Sequence, residues 1–210
     1  MTIRSWLFLF FTTLALGSVA ALLFGFLLEA FMGDMGLTLS QRLLGGLLFG
    51  AVAQMGFFAY MIFNWVATGF FRKDFWFNTV QVLLLLLVLG EVIIFGYMAD
   101  TEGKILVPEA IAGFLTLVVA LLVAFWKVKL TNWRGFVPAL FFMVVATLLE
   151  SGTALKQDSL MMMLYTVLTL LVCNAWQVLW IHRLVTPPES DKSKKRRKRA
   201  GAPAPVGSKK

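Results

Sequence analysis

Glu91 stands in Leu83–Phe95, a run that is otherwise almost wholly apolar. A carboxylate in hydrocarbon costs a few kcal/mol on insertion scales, so the position calls for a partner, a bound proton or a wet cavity. Gln54, Asn174 and Gln177, each inside another apolar stretch, are the candidate partners. Thr166, Thr169, Cys173 and Gln177 recur at spacings of three and four, which aligns them on one helix face, with Asn174 beside them. Hydroxyls on such faces usually bond their own backbone one turn back, so this stripe reads as packing. The chemistry open to Glu91 is proton or ligand binding, and a transporter or channel built around it is the alternative function. One intramembrane acid with no basic partner makes a poor transport path.

Nothing else in the chain suggests catalysis. There is no HExxH, no GxSxG, no phosphate-binding glycine loop and no pair of intramembrane acids. His182 is the sole histidine and Cys173 the sole cysteine, so neither a metal set nor an intrachain disulfide is expected. The expectation is a protein that is not an enzyme and carries no cofactor.

These polar groups must be positioned by six apolar blocks: Trp6–Leu28, Leu43–Asn64, Phe77–Met98, Ile105–Trp126, Phe136–Leu149 and Ser159–His182. Most are long enough to cross a hydrocarbon layer of ~30 Å at ~1.5 Å per helical residue. The fifth, about fifteen residues with Pro138 in its first turn, is read as either a short span or a re-entrant segment, with spanning favoured. With six crossings, Arg4, Arg72, Lys73, Lys127, Lys129, Arg134 and every basic residue from Arg183 onward share one side. Only Arg42, Lys104 and Lys156 fall on the other, which puts both termini in the cytoplasm. The fold class is therefore an all-α integral membrane protein with six transmembrane helices, multi-pass in a bacterial cell membrane.

Composition agrees, at 60% hydrophobic and 14% charged, with no polar stretch long enough for a second folded domain. Residues 1–186 form the transmembrane domain and 187–210 a disordered basic cytoplasmic tail. Most of the net charge of +8 sits in that tail, so it implies no nucleic-acid partner. Lys194, Lys195, Arg196, Arg197, Lys198 and Arg199 form a basic patch suited to anionic lipid headgroups. The outer connections are too short to fold into a ligand-binding domain. Gly17, Ala21 and Gly25 line one face of the first helix, and Gly46, Gly50 and Gln54 one face of the second. Both read as packing faces within the chain.

Three segments resemble the KbaA family, the KinB-signalling pathway activation proteins of spore-forming Gram-positive bacteria. They are Gln54-Met55-Gly56-Phe57-Phe58-Ala59-Tyr60, Trp76-Phe77-Asn78-Thr79-Val80-Gln81-Val82 and Phe136-Val137-Pro138-Ala139-Leu140-Phe141-Phe142-Met143-Val144. The resemblance implies a regulator that activates a membrane histidine kinase (KinB-like) feeding the sporulation phosphorelay, by protein–protein contact. It also singles out Gln54, Tyr60, Asn78 and Gln81 as polar contacts between helices or with that kinase. The basic tail departs from the family pattern, and nothing is carried onto it.

Overall fold

The computed structural model describes residues 3–70, 74–98, 107–152 and 159–185, all helix and connecting turn, with no strand among them. Four long helices come first: α1 (Ile3–Met32), α2 (Leu39–Phe70), α3 (Asp74–Met98) and α4 (Val107–Leu130). The fifth candidate span, Trp133–Glu150, changes its winding as it goes. It opens with a 3-10 turn, Trp133–Gly135, continues as α5 (Phe136–Phe141), loosens into a π turn over Phe142–Ala146, and closes as α6 (Thr147–Glu150). The last helix is α7 (Leu160–Val185). Six of these helical stretches are long and apolar enough to cross a membrane. The basic patch from Lys194 to Arg199 lies outside the described residues.

Helices run past the apolar blocks because hydropathy marks the depth of hydrocarbon, not the end of hydrogen bonding. The start of α2 shows this. Thr38 N–H donates to Gln41 Oε1 at 2.9 Å and Gln41 N–H donates to Thr38 Oγ1 at 3.4 Å. This reciprocal cap satisfies donors that a helix N-terminus leaves over. The turn before it uses Gly33 and Gly36 at φ of 99° and 67°, where a side chain would be strained.

α1 and α2 meet along the two small-residue stripes, within the chain. A Cβ built on Gly46 would lie 2.5 Å from Gly17 O and 2.6 Å from Ser18 Cα. One built on Gly50 would lie 3.1 Å from Thr13 O. Backbone therefore touches backbone, the close approach that small residues permit. Gln54 continues the seam, its Nε2 donating to Leu9 O at 3.3 Å.

At the end of the seam beside the α1–α2 turn, Arg42 is buried to 4% exposure. Its guanidinium pairs with Glu29, donates through Nε to Leu37 O at 3.1 Å, and lies 5.0 Å from the centre of the Phe26 ring. Gly25 leaves the room for it. Glu29→Gln strands this cation. Because Glu29 is about a quarter exposed, the expected loss is about 1–3 kcal/mol, below the cost for a fully buried pair. Denaturation in mixed micelles measures it.

The fifth span sits inside the bundle, packed against α2, α3, α4 and α7. Phe141, Phe142, Met143 and Val144 are buried in succession, which only an enclosed segment can do. Its rings interlock with α2: Tyr60 to Phe142 at 4.9 Å, Phe63 to Phe141 at 5.5 Å and Phe57 to Phe142 at 5.9 Å. By contrast, α3 packs mainly on α4 and the fifth span and leaves a long face uncovered.

Candidate functional site

Glu150 carries a carboxyl into the interior of this bundle, with its Oε1 fully buried. It ends α6, and α6 ends near the middle of the bundle, because its partner Asn174 falls close to the midpoint of α7. Asn174 Nδ2 donates to Glu150 Oε2 at 2.8 Å and to Thr147 Oγ1 at 3.0 Å. Thr147 and Glu150, three residues apart, share the α6 face that meets α7. On the opposite side stands Gly56 of α2. A Cβ there would overlap the Glu150 carboxyl, so the absence of a side chain at 56 makes space for the acid.

Several polar atoms in this interior have no hydrogen-bond partner although fully buried. They are Glu150 Oε1, Asn174 Oδ1, both polar atoms of Gln177 and of Gln81, and Thr116 Oγ1. Gln177 lies one turn beyond Asn174 on the same side of α7. The interior cations are engaged elsewhere: Arg42 with Glu29, and Lys127 through an Nζ–H bond to Val178 O at 2.9 Å. Thr166 and Thr169 bond back to Met162 O and Tyr165 O, as packing hydroxyls do.

The residues picked out by sequence fall into three groups. Asn174 alone joins an acid, and that acid is Glu150, not Glu91. Gln54 is buried but serves the α1–α2 seam; Gln81 and Gln177 are buried and unpartnered; Tyr60 and Asn78 are half-buried, with the Tyr60 ring tilted against Phe142 of the fifth segment. Glu91 lies on the exposed face of α3, so Gln54, Asn174 and Gln177 are not its partners. The fifth apolar block of the sequence ends at Leu149, one residue before Glu150. The missed signal was the short fifth block: about fifteen residues rise only ~22 Å, short of a ~30 Å layer, so its closing acid stops inside.

Two of the family-like segments form the walls of this site. Gly56, Phe57 and Tyr60 belong to one, and Phe141 and Phe142 to another, and they pack on each other. The third supplies Gln81 and Phe77, the latter 6.4 Å from Phe63. Comparison with known proteins agrees. The family described as "KbaA: KinB-signalling pathway activation in sporulation" matches residues 9–184. The chain belongs to the KbaA family. It is similar to the KinB-signaling pathway activation protein of Bacillus subtilis (strain 168), 32% identical over 144 residues, covering 65% of this chain and 69% of that one. No solved structure matches this KbaA-family chain.

Proposed function

We propose that this KbaA-family protein lies in a bacterial cell membrane and raises the output of a KinB-like sensor histidine kinase by binding it, without chemistry of its own. The observation that carries this reading is the family match over residues 9–184. Basic residues support an orientation with Arg4, Lys127, Lys129 and Arg134 toward the cytoplasm. The tail patch Lys194–Arg199 then rests on anionic headgroups. Contacts that favour one kinase conformation shift its population and so its phosphoryl flux.

The uncovered face of α3 is the surface we assign to the kinase. Phe75, Thr79, Val82, Leu83, Leu86, Leu87, Glu91 and Ile94 follow one another along it at helical spacing, all exposed. Among the described residues, Glu91 is the one exposed acid within a candidate span. Lipid cannot satisfy a carboxyl, whereas a transmembrane helix bearing an amide or cationic side chain can. A second copy fits less well, since a symmetric contact brings like acids together. A flux along Glu91 has lost its footing, because the residue faces outward.

Photo-crosslinkers placed at Leu83 and Leu87 should capture the kinase in living cells, and one at Leu23 on α1 should not. Glu91→Leu should weaken the contact by about 1–2 kcal/mol, roughly tenfold in affinity, with a fall in heat-resistant spores. Equal capture from α1, or none from α3 in sporulating cells, defeats the assignment.

A further inference from the structure

We infer that Glu150, Asn174 and Gln177 form a monovalent-cation site in the middle of the bundle, occupied by a proton or an alkali ion. The inference stands apart from the kinase reading and concerns a different face of the chain. Three observations carry it.

Glu150 Oε1 is buried and unpartnered, while its other oxygen accepts only the Asn174 amide. An anion so placed needs positive charge close by. Neither Lys127 nor Arg42 is paired with it: Lys127 donates to Val178 O and Arg42 pairs with Glu29. The second observation is the donor set. Asn174 Oδ1 and Gln177 Oε1 are unpartnered carbonyl oxygens on the same side of α7, and Thr147 adds a hydroxyl. All are hard oxygen donors, suited to a proton or a hard metal ion and not to a soft one. The third is charge. One carboxylate balances one positive charge, which selects a monovalent over a divalent ion.

The hydrogen bonds already present orient the site. Asn174 donates through Nδ2 to Glu150 and Thr147, so its Oδ1 is left free as an acceptor. Titratable groups on the surrounding elements include Cys173 and Tyr165 on α7, Tyr60 and Arg42 on α2, and Lys127 and Lys129 on α4; Glu91 of α3 is exposed. None is bonded to Glu150. The π turn over Phe142–Ala146 sits directly before α6, and such turns recur beside functional groups.

The test uses the full chain in lipid nanodiscs, without kinase. Thermal unfolding is followed as sodium or potassium chloride replaces choline chloride at constant ionic strength. Infrared spectra of the same samples at neutral pH report a protonated carboxyl. An alkali ion as occupant raises the unfolding midpoint saturably, an effect lost in Glu150→Gln. In Asn174→Ala the effect moves to about tenfold higher salt or beyond. A proton as occupant gives no alkali effect but a protonated-carboxyl band that vanishes in Glu150→Gln and shifts in Asn174→Ala. Should Glu150→Gln fail to fold, Asn174→Ala reads both arms, since it keeps the acid and removes one ligand. Finding no alkali dependence and no such band overturns the inference. So does an alkali effect that persists undiminished in both variants.

Discussion

Gly46→Ala should destabilise the protein by about 2 kcal/mol, whereas Gly45→Ala, its neighbour, should be neutral or stabilising. Two terms compete at both positions. Alanine in a helix interior gains about 1 kcal/mol over glycine. Against that, the new methyl at 46 would lie 2.5 Å from Gly17 O, 2.6 Å from Ser18 Cα and 2.8 Å from Ala21 Cβ. The first two are backbone atoms, which cannot rotate aside, so α1 and α2 must separate. Overpacking of this kind costs up to about 3 kcal/mol, occasionally more. At 45 the nearest atoms are Tyr165 Oη at 3.5 Å and Phe49 Cε2 at 3.9 Å, ordinary contacts. Only the propensity gain remains there. Unfolding of both variants in mixed micelles gives opposite signs if the seam is as described. Equal effects would mean that α1 and α2 do not meet at Gly46.

The second large effect concerns Asn174. Asn174→Leu leaves both oxygens of Glu150 without a donor, and a stranded buried acid costs about 3 kcal/mol. Glu150→Leu is milder, because Asn174 Nδ2 keeps Thr147 Oγ1 at 3.0 Å. A lost hydrogen bond between membrane helices averages only about 0.6 kcal/mol. The double variant should therefore be more stable than Asn174→Leu alone. That ordering is unusual, as adding a substitution restores stability. A double-variant cycle by reversible unfolding checks it, and simple additivity would contradict the pairing.

The elements themselves were legible in the sequence; the arrangement of their polar groups was only half so. Six apolar blocks foretold six helices because hydropathy over twenty residues is a strong signal. The glycine stripes foretold a seam, and Gly17, Gly46 and Gly50 form it. Facing was another matter. The apolar run around Glu91 calls for a partner, a bound proton or a wet cavity, yet apolar residues line lipid-facing and core-facing sides alike. With no polar face to contrast against, periodicity carries no direction in a membrane helix. Glu150 was overlooked since it follows the last apolar residue of its block. Its depth depends on how far α7 reaches past it, a tertiary fact. Asn174 gave the better hint, for a buried amide needs a partner, but the acid it meets is Glu150 and not Glu91.

The most direct measurement is kinase autophosphorylation in vesicles that hold purified KinB-like kinase with and without this protein. Contact that favours the active kinase predicts a rise of at least about fivefold, the lower end of ordinary coupling between sites. The rise should diminish with Glu91→Leu. An unchanged rate, with both proteins correctly inserted in the same bilayer, would contradict activation by direct contact.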